Sequence, residues 1–324
     1  MTLISNLQQL VTGLFLLLTF TACSDDDDAT TPPVVETNTI ADFVASNENY
    51  SSLEAALEVT GLTSTLAGAD NYTVFAPDND AFAAFLADNG FSSLSEVPVS
   101  ALTQILLNHV QMGEIMAADL STGYIESMAT GGASDDNLSM YISTEDGVMI
   151  NGVATVEQAN IEVDNGVIHA VDAVIGLPSV VTFALADPTF DTLVAALTRE
   201  DDFTFVSTLM ETGSPAPFTV FAPTNDAFGA LLEELEMSSL GDIPEDVLAS
   251  TLAYHVAAGA NVTSSMLVDD MEVSTLAEQS FMIDLDNGAT ITDANGRTSD
   301  IVVVDVQANN GVIHVIDTVL LPAM

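Results

Sequence analysis

The sequence predicts an α+β fold, and predicts it twice. Three observations carry this. Landmark blocks recur at a spacing of about 145 residues. Helical periodicity gathers in the first half of each copy. Alternating apolar stretches separated by Asn-Gly and Asp-Gly turns fill the second half.

The repeat is legible in three places. Residues 72–82 read YTVFAPDNDAF and residues 218–228 read FTVFAPTNDAF. Residues 165–172 read NGVIHAVD and residues 310–317 read NGVIHVID. Between these blocks lie His109 and His255, each followed by Val. The chain's four histidines are therefore two histidines, each present twice. The copies run over residues 37–178 and 179–324, and the join between them is too short to act as a free linker.

Each copy opens its first block on a short apolar strand. Pro77 and Pro223 end it, because proline cannot continue a ladder. Asp78 or Asn79, and Thr224 or Asn225, are placed to cap the helix that follows. Its apolar residues are Phe82, Phe85 and Leu86 in one copy and Phe228, Leu231 and Leu232 in the other. A second helix begins after Pro98 or Pro244 and runs toward His109 or His255. Asp146-Gly147, Asn151-Gly152, Asn287-Gly288 and Asn295-Gly296 then punctuate strands. The last strand of the first copy is expected over residues 167–174, closed by Pro178.

The N-terminus reads as an address, with a signal peptide over residues 1–22. Residues 10–20 form an apolar stretch of signal-peptide length, followed by Thr21, Ala22 and the only cysteine, Cys23. This resembles a bacterial lipobox, which implies lipid on Cys23. Asp25, Asp26, Asp27 and Asp28 resemble the surface-export tag of some Gram-negative lipoproteins. Residues 23–36 read as an acidic tether. The expected location is the outer membrane, facing outward, with membrane contact through the lipid alone; a periplasmic or secreted protein is the alternative.

The chain carries 48 Asp and Glu against two basic residues, a formal net charge of −46. Such a surface repels phosphate backbones, so nucleic acid is excluded as a partner. The acidity fits either a saline medium, where screening relieves self-repulsion, or divalent cations bridging carboxylates.

Taken together, the ordered blocks resemble the fasciclin-domain family over nearly everything after the tether. The resemblance implies a wedge of about seven strands packed with several helices in each copy. It also implies a non-catalytic adhesion role toward an extracellular protein, matrix or polysaccharide. An envelope scaffold without external ligand and a glycan-acting hydrolase or lyase are the alternatives. The family's contacts near the middle helix point to His109, Tyr254 and His255 as binding candidates.

The remaining motif residues read as structural. Pro77, Asn79, Pro223 and Asn225 shape a helix start. His169 and His314 are expected to bond backbone groups, with Asp172 and Asp317 on the opposite sheet face. No HExxH, CxxC, GxSxG, Walker or GxGxxG pattern occurs. No cofactor is implied. Asp284, Asp286 and Asp293 are candidate Ca²⁺ ligands around an incomplete loop motif, which a plain hairpin turn also explains.

Overall fold

The computed structural model describes residues 38–286 and 288–323. The signal peptide, Cys23, the acidic tether and Asn287 lie outside the described residues.

Thr39 caps the first helix. Its hydroxyl accepts the Asp42 N–H, and the Asp42 carboxylate accepts the Thr39 N–H. Helices α1 (Ile40–Ser46), α2 (Ser51–Thr60) and α3 (Thr63–Leu66) lead to strand β1 (Tyr72–Pro77). Then come α4 (Asn79–Asp88), α5 (Val99–Leu107) and β2 (Val110–Met112). Five strands complete the repeat: β3 (Gly123–Thr130), β4 (Asn137–Ser143), β5 (Met149–Ile150), β6 (Ala154–Val163) and β7 (Gly166–Val171).

The second repeat retraces this path from its own cap, Ser179. Its helices are α6 (Val180–Ala186), α7 (Asp191–Leu197) and α8 (Phe205–Leu209), then β8 (Phe218–Pro223), α9 (Asn225–Glu234) and α10 (Glu245–Tyr254). Its strands continue with β9 (Val256–Ala258), β10 (Met271–Ser274), β11 (Ser280–Asp284), β12 (Thr290–Thr292), β13 (Thr298–Ala308) and β14 (Gly311–Ile316).

Each repeat therefore holds one seven-stranded sheet, ordered β2-β1-β7-β6-β5-β4-β3 and, equivalently, β9-β8-β14-β13-β12-β11-β10. Every pairing is antiparallel except one per sheet. The first strand lies parallel to the last, β1 against β7 and β8 against β14. These strands are buried on both faces, which explains their unbroken apolar runs. Alternate residues feed two cores. Val74, Ala76 and Ile168 pack on the helices with Ile40, Leu53 and Leu102. Phe75 and Val171 turn the other way, onto Met140, Ile142 and Ile150.

Asp78 and Thr224 are the caps, accepting the Ala81 and Ala227 N–H groups. Asn79 and Asn225 are instead clamps on the starts of α2 and α7. Asn79 accepts the Ser52 N–H and donates to the Glu48 carbonyl; Asn225 does the same with Thr192 and Pro188. β7 stops at Val171 and not at residue 174. Asp172 turns its carboxylate back to the Thr155 N–H, which ends the ladder. α5 ends at Leu107, so His109 lies just beyond the helix.

The parallel pair imposes a glycine. At Gly166 (φ +142°) an added Cβ would overlap the Tyr72 carbonyl, and at Gly311 it would overlap that of Phe218. Gly90, also at positive φ, faces open space. We expect Gly166→Ala to cost roughly 3 kcal/mol or more, and Gly90→Ala about 1 kcal/mol. Urea unfolding of the two variants checks this. Equal losses would contradict the close approach.

Candidate interaction surfaces

The histidines are fixed by backbone groups on both ring nitrogens. His109 donates from Nδ1 to the Ile105 carbonyl at 2.7 Å and accepts the Ile175 N–H at Nε2 at 2.8 Å. His255 repeats this with the Thr251 carbonyl (2.7 Å) and the Leu320 N–H (3.0 Å). Each thus ties the end of a helix to the segment after the last strand. His169 and His314 use the opposite tautomer. Their Nε2 atoms donate to the carbonyls of Ile115 and Val262. Their Nδ1 atoms accept from the N–H groups of Asn160 and Asp305. Those last two residues sit at φ +60°, in bulges that bring an otherwise unpaired amide to the ring. Nothing in the local sequence marks these bulges; the register shift appears only once the strands are paired.

This geometry corrects the binding candidates. His109 and His255 are 2% and 3% exposed, and Tyr254 is fully buried. The Tyr254 hydroxyl donates to the Ser280 carbonyl and accepts the Ala294 N–H. All three side chains are committed to the interior and present nothing to a partner.

The asparagine of each NGVIH block, to which residue type and spacing assign no role, has a large one. Asn165 accepts the Ile40 N–H and donates to the carbonyls of Leu66 and Gly68. Asn310 does the same with Val180, Leu209 and Glu211. Each is a buried amide joining the first helix, the third helix and the last strand. The invariance of the block between the two copies was the available signal.

The structure also separates the candidate calcium ligands. Asp293 is buried, accepting N–H groups from Asn295, Arg297 and Leu321 and pairing with the Arg297 guanidinium. Asp284 and Asp286 are exposed, and Asp284 accepts the Asp286 N–H. Among the described residues no group of three or more metal-ligating side chains is gathered. Asp172 and Asp317 are likewise occupied, each holding the N–H of a neighbouring strand.

Both basic residues serve backbone carbonyls. Arg199 donates to Leu240 and Ile243, and Arg297 to Val319. Each also meets a carboxylate, Glu200 and Glu234 respectively. The protein's whole complement of fixed positive charge is thus spent inside ordered contacts.

The two repeats interlock. The Tyr124 hydroxyl donates to Asp187 at 2.9 Å, and its ring meets Phe183 edge-on. Burial beside that carboxylate pushes the Tyr124 phenol far up and the Tyr141 phenol up to about 12. Tyr141 packs within the second repeat's helical core. The Gln307 N–H donates to the Ser139 hydroxyl, and Asn309 bridges the Gly132 N–H and the Pro178 carbonyl.

A tandem of two such units, each closed by a parallel first and last strand and locked by neutral histidines, defines the class. The family model for the fasciclin domain matches residues 48–178 and 188–322, and the chain belongs to the fasciclin-domain family. Protein sll1483 of Synechocystis sp. is 37% identical over 137 residues, covering 42% of this chain and 72% of that protein. Periostin of Homo sapiens is 30% identical over 271 residues, covering 82% of this chain and 30% of that protein. Among solved structures, a FAS1 domain pair from the insect cell adhesion molecule fasciclin I covers 87% of this chain and 95% of its own. Its sequence identity is 20% and its TM-score 0.48.

Burial holds the histidines neutral, lowering His109 and His255 from 6.5 to about 4 and lowering His169 and His314 as well. At pH 7 both folded and unfolded chains leave these rings uncharged. As pH falls from 6.5 toward 4, the unfolded chain takes up protons that the folded core refuses, so stability falls. His109 and His255 should each withdraw on the order of 3 kcal/mol across that window. Urea unfolding in about 1 M NaCl, which screens the carboxylates, should show the slope. Replacing both by Gln should flatten it; an unchanged slope would assign it to other groups.

Proposed function

We propose that this protein is a non-catalytic adhesion or ligand-binding lipoprotein. It is held at the outer membrane by lipid on Cys23, faces outward, and contacts an extracellular protein or polysaccharide. The observation that carries the reading is the fate of the histidines. The side chains best suited to proton transfer near neutrality are each bonded to backbone on both nitrogens, so the fold uses them for cohesion and not for chemistry. Membership of the fasciclin-domain family supports the same reading.

Display can be tested directly. Cells making the full chain should place it in the outer-membrane fraction, open to protease added to intact cells. Cells making Cys23→Ser should release it. Adhesion is scored by attachment of both cell types to surfaces coated with matrix protein or polysaccharide. Equal attachment by the two would argue against an adhesive role for the displayed protein.

The acidic surface is read as generic salt adaptation. With only two basic residues against 48 acidic ones, most of the negative charge is left to be screened by ions of the solution. NaCl and CaCl₂ at matched ionic strength should therefore raise the unfolding midpoint equally. A rise confined to low-millimolar CaCl₂ would reveal specific sites by mass action and restore cation-bridged adhesion.

A further inference from the structure

The closing segments of the two repeats differ by a leucine. Their histidines align them, since Ile175 gives its N–H to His109 as Leu320 does to His255. The next residue is Leu321 in the second repeat and Gly176 in the first. Leu321 is 6% exposed. It is buried in one apolar cluster with Ala227 and Leu231 of α9, Leu248 of α10, and Ile243 between them. Its side chain thereby closes the space between the two helices.

In the first repeat that space is open. Ala81, Phe85 and Val97 hold the positions of Ala227, Leu231 and Ile243, and they line a groove of about 700 Å³ with Ala101, Val174 and Leu177. The depression between α10 and the second repeat's closing segment is about 270 Å³. Gly176 stands exposed on the groove wall, and a Cβ added there would meet no atom within 4 Å. Its φ is not positive, so the backbone does not demand a glycine. Leu177, the next residue, is half-buried on the wall and takes no part in the helical core.

The groove can be reached from solvent, because Phe85, Ala101, Val174 and Leu177 are all partly exposed. Among the described residues, the only titratable side chain on its lining is Asp88, which is exposed. Both arginines of the chain are bonded within the second repeat, and the net charge is −46. The potential at the rim is therefore negative. A cation beside the entering group is favoured and an anion disfavoured.

We propose that this groove receives a leucyl side chain, flanked by lysine or arginine, from a partner protein. The leucyl group takes between α4 and α5 the place that Leu321 takes between α9 and α10. The flanking cation meets Asp88 and the field of the acidic surface. Apolar burial supplies the affinity, and charge supplies the steering. This deepens the adhesion reading and rests on it, because it gives the partner a chemistry.

The test is calorimetric titration of the mature chain with N-acetyl-Lys-Leu-Lys-amide, N-acetyl-Lys-Ala-Lys-amide and N-acetyl-Glu-Leu-Glu-amide. At low salt we expect the first to bind at least about tenfold more tightly than either of the others. In about 1 M NaCl the preference over the glutamate peptide should collapse, while that over the alanine peptide persists. Gly176→Leu, which supplies the side chain from within, should weaken binding at least about tenfold. Ala101→Leu, which narrows the groove from α5, should do the same if the first variant does not fold. Absence of binding, equal binding of either control peptide at low salt, or binding that survives both substitutions overturns the proposal. Self-association of the chain that Gly176→Leu abolishes also overturns it, by giving the groove to a second copy. The two readings fail separately. Cells displaying Gly176→Leu that attach as the parent does remove the groove from adhesion, whereas equal attachment by Cys23→Ser cells removes adhesion itself.

Discussion

The pairing of the first strand with the last is the constraint on which each repeat rests. Strands that are remote in sequence lie parallel and buried on both faces, so their approach must be both close and exactly registered along the chain. Gly166 and Gly311 permit the approach, because no side chain could stand between the backbones. Asn165 and Asn310 set the register, since each reaches three backbone groups from two helices. Buried backbone groups left unmatched would cost more than the apolar contacts nearby return. The single block NGVIH therefore contains the geometry that closes the domain: an amide clamp, a residue without a side chain, two core positions and a ring that crosses to the facing segment.

The histidines extend the same logic. Each joins two stretches that no regular ladder connects, and each works only while uncharged. One pair carries its proton on Nδ1, the other on Nε2, because one faces a helix carbonyl and the other a loop carbonyl. Arg199 and Arg297 act similarly from the charged side, crosslinking carbonyls at the ends of loops. In a chain so rich in carboxylates, positive charge is scarce, and both available residues hold backbone carbonyls as well as pairing with a nearby Glu.

Much of this was legible in the sequence. The duplication, the fold class, the strand-to-helix turn after Pro77 and Pro223, and the backbone bonding of His169 and His314 all follow from residue type and spacing. What escaped has a physical reason in each case. Asn79 resembles a cap because it stands at a helix start, yet Asp78 before it has the extended backbone that capping requires. Tyr254 and His255 are binding candidates only through the family's contacts near the middle helix, and the hydrogen bonds that bury them include partners distant in sequence, Ser280, Ala294 and Leu320. Asp293 belongs with Arg297 and the chain's final segment, which no local spacing could show beside Asp284 and Asp286. The bulges at Asn160 and Asp305 exist only as mismatches between paired strands.

The seam between the repeats is made from unlike surfaces. Tyr124, Ser139 and Tyr141 belong to the first copy, and Phe183, Asp187 and Gln307 to the second. The position in β11 that aligns with Tyr141 is Met282, which is exposed and not packed into a neighbouring core. Duplication here gave two copies of one fold whose edges have diverged in chemistry, so that one copy carries the aromatic contact residues and the other the residues that receive them.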